Sequence, residues 1–452
     1  MFKNFYKGND LKKDSGKTYY KHVFYVLMAC SVLAFFVLAY ATGGASFKGM
    51  LMGDASDTFM DHYNSVIYNK INPYENGVVY PPLATFTYGC LLKLIPEDVF
   101  NEIVSDPTVL AQPRDVKLTQ GFAFQFIIFM TASIFAFMAA VYLCKKGRNY
   151  EKAILSALLL LSGPMLYALE RGNNLIIPLI FSFIFVNYYD SKNKIIREIA
   201  LISLAVAVAF KLYPIAFGVL LFRNKQYKEL VRAGIYCAVL VILPFFVFYD
   251  GIQSIDYFLQ RLSKFDGKRS AGVNIDGQLS FKGMFYYLVG FFRIKLSDTD
   301  AMANIFRYAV TGSCILFTFL ARSNWKAAAL CACFICGYQG SCPKYLLIFF
   351  FVPIVMLLDS EKKNTVFNYI TLIFLILIIA PIVLPDPNKG GWSVYMTGKI
   401  SSLSMLAVAA VIIADTIVSY VVSFTKYIKQ KKTKGIVAEE LPLLQNGGVL
   451  DA

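Results

Sequence analysis

The chain is 452 residues long; 57% of its residues are hydrophobic, only 16% are charged, and its mean hydropathy is +0.55. Soluble proteins carry about 25% charged residues, so this composition indicates a membrane protein and excludes soluble nucleotide-binding enzymes and secreted disulfide scaffolds. The net charge of +15 is typical of basic loops beside membrane helices, and no nucleic-acid partner is expected.

About twelve apolar runs recur along the chain, several of them shorter than the roughly 20 residues that span a bilayer. The first run, Val23 to Thr42, follows a lysine-rich segment. It is too long for a signal-peptide core of about 7 to 15 residues, which predicts a retained helix with a cytoplasmic N-terminus. The other runs lie near 122–143, 153–169, 175–189, 198–210, 213–222, 233–249, 303–321, 326–338, 345–358, 366–384 and 399–424. The sequence therefore predicts an all-α polytopic protein with about twelve transmembrane or half-inserted helices.

Basic clusters orient these helices. With the N-terminus inside, nearly all of the +15 excess falls on cytoplasmic segments, as the positive-inside rule requires. This arrangement needs a short hairpin over 198–222 that turns outward at Lys211. It also needs 83–95 and 281–294 to lie on the outer face as amphipathic or partly inserted helices.

The resulting organisation is a single transmembrane domain over residues 1–425 and a cytoplasmic basic tail over 426–452. Two large segments, 45–121 and 250–302, are predicted to be external. We expect a multi-pass protein of the plasma or inner membrane with both termini in the cytoplasm.

The first external segment is acidic where it follows the first helix. If residues 57–69 are helical, Asp57 and Asp61 stand at positions i and i+4 and share one face. The simpler interpretation is a solvated helix start capped by Asp54 or Ser56. The alternative is a pair of carboxylates that act on a substrate.

Arg171 and Lys211 are lone cations in short outward turns between helices. Cations at membrane depth are costly and indicate a functional site, although both side chains could also extend to lipid phosphates as anchors. Beside an acidic loop, two such cations suit the binding of an anionic headgroup while a carboxylate acts near it.

Other motifs favour structural roles. Asp298-Thr299-Asp300 resembles a metal-binding Asp-x-Asp, but Ser297 followed by Asp300 is more simply a helix cap. The cysteines at 331, 333 and 336 are interpreted as small packing residues. His62 is interpreted as a surface histidine, and Asp415 as a site candidate or a partner of neighbouring Ser or Tyr. Neither a metal nor a cofactor is expected.

An ordered set of motifs resembles glycosyltransferase family 87, of the GT-C fold, over roughly residues 20–385. The set comprises the acidic pair Asp57 and Asp61, Asn72-Pro73-Tyr74, Tyr80-Pro81-Pro82-Leu83, Arg171-Gly172-Asn173, Lys211-Leu212-Tyr213-Pro214, Asn274 with Leu279-Ser280, and Pro343-Lys344-Tyr345. The chain departs from the family pattern at one position. The family has a single acidic residue followed four positions later by a tyrosine, and here that later residue is Asp61.

The resemblance implies an inverting membrane transferase with a polyprenyl-phosphate sugar as donor, most commonly of mannose, and a lipid-linked or cell-envelope glycan as acceptor. It assigns the general base to an aspartate of the first external loop. The distance to Pro73 favours Asp57, with Asp61 as an orienting neighbour. Lys211 and Arg171 are expected to bind the donor phosphate. The substrate-binding candidates are Tyr74, Tyr80, Asn173, Asn274 and Lys344.

Two alternative functions stay open. A flippase or transporter of a lipid-linked sugar would carry ionisable residues near the bilayer midplane and two repeated halves, whereas the conspicuous charges here lie at the outer rim. A surface-glycan polymerase or ligase would have a late external loop rich in Arg and His. The 250–302 segment supplies Arg261 and other cations but no histidine.

Overall fold

The computed structural model describes residues 19–51, 58–69, 73–75, 78–105, 120–248, 250–271, 279–339, 342–360, 365–386 and 391–433. Within these ranges the chain is almost entirely helical, as the apolar runs predict. Asp57 and Asn274, two of the predicted site residues, lie outside the described residues.

The helices of the first half are α1 (Tyr19–Ala41), α2 (Ala45–Leu51), α3 (Met60–Ile67), α4 (Pro82–Leu92), α5 (Glu97–Ser105), α6 (Gln120–Cys144), α7 (Asn149–Leu160), α8 (Gly163–Glu170), α9 (Ile176–Tyr188) and α10 (Lys194–Phe210). A 3-10 helix (Tyr213–Gly218) then leads into α11 (Val219–Arg223). The second half contains α12 (Tyr227–Ile242), α13 (Ser254–Ala271), α14 (Phe281–Phe291), α15 (Thr299–Leu320), α16 (Asn324–Gly337), a 3-10 helix (Lys344–Phe350), α17 (Phe351–Asp359), α18 (Val366–Ile379), β1 (Leu384–Asp386), β2 (Gly391–Ser393) and α19 (Val394–Thr433). Shorter 3-10 turns at Leu243–Val247 and Gly251–Gln253 lie between α12 and α13.

Among the described helices, five are long and apolar enough to cross a membrane: Tyr20–Ala41, Gly121–Cys144, Tyr227–Val247, Thr299–Leu320 and Thr397–Ile428. Helices α7 and α8, bent by 58° at their junction, add a sixth span if they are counted together. Every predicted apolar run overlaps one or two helices. The prediction of a polytopic helical protein is therefore confirmed, whereas the number of described spans is five or six by length and composition.

The predicted hairpin at Lys211 is present. Helix α10 ends at Phe210, Lys211 has an extended backbone, and the next helix begins at Tyr213. Pro214 lies in the first turn of that helix, where its missing N–H costs no hydrogen bond. The two helical segments pack against each other, so the turn holds Lys211 at the tip of the hairpin.

The all-α prediction is confirmed, apart from one small two-stranded sheet that it did not include. Strands β1 and β2 pair antiparallel, with Pro385 opposite Trp392, and β2 rests on α2. A Cβ atom at Gly49 would lie 2.5 Å from the Trp392 carbonyl oxygen, so only glycine permits this contact. Strands of three residues are too short to give an alternating sequence pattern. Helix α19 continues eight residues past the predicted tail boundary at 425.

Buried ion pairs tie the helices together. Lys145 after α6 pairs with Asp359 of α17, and Lys326 of α16 pairs with Asp415 of α19. Asp415 is thus held by a lysine rather than by the Ser or Tyr neighbours expected. The cysteines at 331, 333 and 336 are buried in the core, as predicted.

The start of α15 is capped by Asp298, whose carboxylate accepts a hydrogen bond from the Ala301 N–H at 2.9 Å. The cap is therefore Asp298 and not Ser297. Asp300 forms a 2.6 Å ion pair with Lys282. Both carboxylates of the Asp-x-Asp motif have structural partners, which supports the capping interpretation.

Candidate active site

The turn after α8 is docked against the beginning of α3. The Phe59 N–H donates to the Glu170 carbonyl at 2.7 Å, and the Asp61 N–H donates to the Arg171 carbonyl at 3.2 Å. The Thr58 hydroxyl donates to the Glu170 carboxylate at 2.8 Å. Phe59 adopts a left-handed conformation, with φ of 62°. These contacts join two segments more than 100 residues apart in the sequence.

Gly172 makes this docking possible. Its φ is +62°, and an added Cβ would lie 3.0 Å from the His62 Cβ and 3.3 Å from the Phe59 Cα. A side chain here would both strain the backbone and push the turn away from α3. The Arg171-Gly172-Asn173 motif therefore has a steric reason for its glycine.

Asp61 is the carboxylate that this turn fixes. One oxygen accepts a 2.7 Å hydrogen bond from Arg171 Nη2, and the other accepts a 2.7 Å bond from Asn173 Nδ2. Asn173 is fully buried, and its own Oδ1 accepts from the Leu175 N–H just before α9. The Asp61 side chain keeps 19% of its surface exposed. The carboxylate is therefore rigidly oriented while part of it faces open space, in the first turn of α3 where the helix dipole favours negative charge.

That open space is a cavity of about 290 Å³. Its walls come from both predicted external segments, from the Lys211 hairpin and from the start of the 344–350 helix. The lining residues are Asp61, Asn64, Ser65, Tyr68, Val78, Val79, Tyr80, Lys211, Tyr213, Leu262 and Tyr345. An acidic residue and a basic residue thus share one chamber.

Lys211 reaches the cavity from the end of α10. Its ammonium lies 4.0 Å from the centroid of the Tyr80 ring, a cation–π contact that positions the charge without neutralising it. Tyr80 immediately precedes the two prolines that begin α4. Burial, together with the Asp61 charge, raises the pKa of Tyr80 well above its ordinary value, so Tyr80 stays a neutral phenol.

Of the described substrate-binding candidates, Tyr80 lines the cavity and Asn173 binds Asp61 without lining it, whereas Tyr74 and Lys344 lie elsewhere. Tyr74 packs against the rings of Phe245, Phe248 and Phe258 and does not line the described cavity. Arg261 of α13 donates to the Tyr74 carbonyl at 2.9 Å and also to the Glu75 carbonyl. Tyr74 therefore joins the two external segments rather than facing the chamber.

Lys344 is buried behind the cavity wall. Its ammonium donates to the Thr397 hydroxyl at 2.7 Å, and burial lowers its pKa to about 7. The next residue, Tyr345, lines the cavity instead and stacks on Tyr167 with ring centroids 6.0 Å apart. Of the 343–345 motif, the tyrosine and not the lysine reaches the chamber.

His62 is a correction to the sequence interpretation, because it is buried and not a surface residue. Its Nε2 lies 2.9 Å from the Gln125 Oε1, and aromatic rings surround it. Burial lowers its pKa to about 4, so the ring is neutral at physiological pH. It supports the packing of α3 on α6.

Sequence reasoning missed most of the polar cavity wall. Asn64, Ser65 and Tyr68 follow Asp61 on α3 and at its end. Their spacing of three, four and seven residues from Asp61 predicts a shared helix face, and this pattern was the available signal. Tyr213 and Tyr345 belong to motifs in which the lysines, Lys211 and Lys344, were predicted as the binding residues.

An apolar groove lies on the other side of the α3 start. It has a volume of about 380 Å³, and almost all of its surface is nonpolar. It is lined by Phe47, Leu51, Thr58, Phe59, Phe126, Met130, Ile134, Leu166, Leu169 and Glu170. Three of these residues, Phe126, Met130 and Ile134, belong to α6, a candidate membrane span. One wall of the groove is therefore the surface of a candidate membrane helix.

Comparison with known proteins gives one family. No curated protein matches the chain. The model of glycosyltransferase family 87 matches residues 108–340, more than half of the chain. The match contains Arg171, Asn173 and Lys211, begins after the acidic loop and ends before Lys344. The chain is a membrane protein that belongs to glycosyltransferase family 87.

Proposed function

We propose that this protein transfers a hexosyl group, with mannose the expected sugar, from a polyprenyl-phosphate donor to a lipid-linked or cell-envelope glycan on the extracytoplasmic side. The observation that carries this proposal is the chamber in which the oriented carboxylate of Asp61 and the ammonium of Lys211 face the same space. In glycosyl transfer from a phosphate, a carboxylate can act as base on the acceptor hydroxyl, and a cation can stabilise the phosphate that leaves.

On the acceptor side, the acidic pair supplies the base. A sugar hydroxyl attacks only when a carboxylate within about 2.6 to 3.2 Å takes its proton. In this proposal Asp57 takes the proton, as its spacing to Pro73 favours, and Asp61 orients the acceptor. An orienting role for Asp61 agrees with its two 2.7 Å hydrogen bonds, which hold the carboxylate in one position. Each oxygen retains further lone-pair capacity for a substrate hydroxyl.

On the donor side, Lys211 binds the phosphate. Negative charge grows on the phosphate oxygen as the glycosidic bond breaks, and a positioned cation stabilises it. Lys211 is well placed for this, since its ammonium is nearly buried over the Tyr80 ring. The planar guanidinium of Arg171, with several N–H donors, is proposed to bridge Asp61 and the phosphate.

The lipid portion of the donor has a suitable site nearby. The apolar groove begins at Thr58 and Phe59, and the polar chamber begins two residues later at Asp61. A polyprenyl chain in the groove would bring its phosphate to the start of α3. One base and direct displacement predict inversion at the sugar carbon. Of the alternatives, a transporter is disfavoured because the described charges of this site gather in one chamber beside the external segments.

The test is transfer by purified full-length protein, with polyprenyl-phosphate mannose as donor and the glycolipids of a strain lacking the gene as acceptors. Asp57→Asn keeps size and removes basicity, so transfer should fall by about 100-fold or more. Asp61→Asn should be milder. Asp98→Asn, at an exposed carboxylate of α5 in the same external segment, is the matched control and should leave transfer unchanged. Activity retained in Asp57→Asn and lost in Asp61→Asn would reverse the two roles. Activity retained in both would refute the proposal.

A further inference from the structure

We propose that Asn64 is a specificity-determining residue that accepts a hydrogen bond from the acceptor sugar, at a hydroxyl next to the one oriented by Asp61. The inference rests on the proposed function and deepens it. It assigns the α3 end of the chamber to a sugar.

Asn64 lies beside Asp61 on the wall of the chamber. Asn64 follows Asp61 by three residues on α3, so the two side chains are neighbours on one helix face. Both line the chamber. A sugar that meets the Asp61 carboxylate therefore also meets the Asn64 amide.

The Asn64 side-chain carbonyl oxygen lacks a hydrogen-bond donor among the described residues. It is also buried. The neighbouring polar groups on this wall are engaged: the Ser65 hydroxyl donates to the Asp61 carbonyl at 2.6 Å, and the Asp61 carboxylate binds Arg171 and Asn173. Buried amide oxygens nearly always have a hydrogen-bond donor, and Asn64 lines the chamber, so a small rotation of its amide would let the oxygen accept from a ligand hydroxyl.

The Asp61–Asn64 wall suits a ligand that donates hydrogen bonds. A carboxylate and an amide oxygen on one face are two acceptors, and they match two hydroxyl groups on adjacent carbons of a sugar ring. A phosphate group offers acceptors and would be repelled here. The Asp61–Asn64 wall thus suits the sugar, and the Lys211 wall suits the phosphate.

The experiment measures glycoside binding by full-length protein in lipid nanodiscs, free of sugar-based detergent. The probes are octyl α-mannopyranoside, octyl β-glucopyranoside and the monodeoxy derivatives of each. Asn64→Leu removes the acceptor at similar volume, and Asn64→Ser provides a second truncation in case the first fails to fold. Asn69→Leu is the control, because the Asn69 side chain donates to the Ser65 carbonyl and does not line the chamber.

We expect the dissociation constant of at least one glycoside to rise about 10-fold in both Asn64 variants, the loss of roughly one hydrogen bond. One monodeoxy derivative should bind wild type and Asn64 variants equally, since it lacks the hydroxyl that Asn64 contacts. A purely structural role would not produce this selective equality. Equal affinities of wild type and Asn64 variants across the panel, including no binding at all, would overturn the inference.

Transfer assays on the same preparations separate the two claims. If transfer needs the acidic pair but glycoside binding ignores Asn64, only this inference fails. If binding depends on Asn64 while Asp57→Asn and Asp61→Asn retain transfer, the sugar site stands and the proposed chemistry fails.

Discussion

Replacing Gly172 by alanine tests whether the docked turn builds the active site. Gly172 combines a φ of +62° with a close approach, since an added Cβ would stand 3.0 Å from the His62 Cβ. The left-handed backbone costs an alanine about 1–2 kcal/mol. Crowding of a packed contact adds about 1–3 kcal/mol, so Gly172→Ala should destabilise the protein by about 2–5 kcal/mol.

Activity should fall by more than stability suggests. The crowding pushes the turn away from α3, and Arg171 and Asn173 then no longer fix the Asp61 carboxylate. A misplacement of about 1 Å can reduce a rate by about 100-fold. We therefore expect transfer to fall by up to about 100-fold in the fraction of protein that stays folded, because the orienting Asp61 and the proposed phosphate contact of Arg171 are displaced together.

Gly251→Ala is the matched control. Gly251 also has a positive φ, of +51°, but nothing lies within 4 Å of its added Cβ. It should carry only the backbone cost of about 1–2 kcal/mol and keep its activity. Thermal unfolding in nanodiscs and initial rates of transfer at equal folded protein measure both effects. Equal losses of stability and activity in the two variants would refute the idea that the Gly172 contact positions Asp61.

Three further predictions concern donor binding by Lys211, the membrane topology and the pH dependence of stability. Lys211→Met should raise the apparent KM for the polyprenyl-phosphate donor about 10-fold or more while unfolding at nearly the wild-type temperature. The control Lys93→Met, at an exposed lysine, should leave the donor KM unchanged. An unchanged donor KM in Lys211→Met would leave Lys211 as a membrane anchor. The charge distribution predicts that α5 is outside and the start of α12 inside. In a Cys30→Ser, Cys90→Ser background, an impermeant thiol reagent should therefore label Asp98→Cys in intact cells and not Lys228→Cys. The reverse labelling would invert the predicted topology. Burial lowers the pKa of Lys344 to about 7 from the roughly 10.4 of an exposed lysine. Between these pH values the unfolded chain binds more protons than the folded protein, so stability should rise from about pH 7 to pH 10. Lys344→Met should remove that rise in thermal unfolding, and an unchanged pH profile in this variant would contradict the assignment.

Elements that depend on local pattern were predictable from the sequence. Long apolar runs predicted the helices, and the distribution of basic clusters between the runs required the hairpin at Lys211. The ribbon at Leu384–Asp386 was not predictable, since three-residue strands carry no periodicity.

The candidate site depends on contacts between distant segments, which the sequence does not encode locally. Asp61 and Arg171 were both predicted to lie on the outer side, but their ion pair joins positions 110 residues apart. The tyrosines have different roles for the same reason: Tyr74 packs on Phe258 of the second predicted external segment, whereas Tyr345 lines the chamber. A tyrosine in sequence has the same propensity for both environments, and only tertiary packing separates them.

The proposed donor in this chamber is a polyprenyl-phosphate sugar and not a nucleotide sugar. The most direct measurement supplies purified protein in proteoliposomes with radiolabelled polyprenyl-phosphate mannose or labelled GDP-mannose, together with glycolipid acceptor from cells lacking the gene. The account predicts labelled glycolipid and released polyprenyl phosphate in equal amounts from the lipid donor, no product from the nucleotide donor, and loss of product in Asp57→Asn. Product formed from GDP-mannose, with the lipid donor left intact, would contradict it.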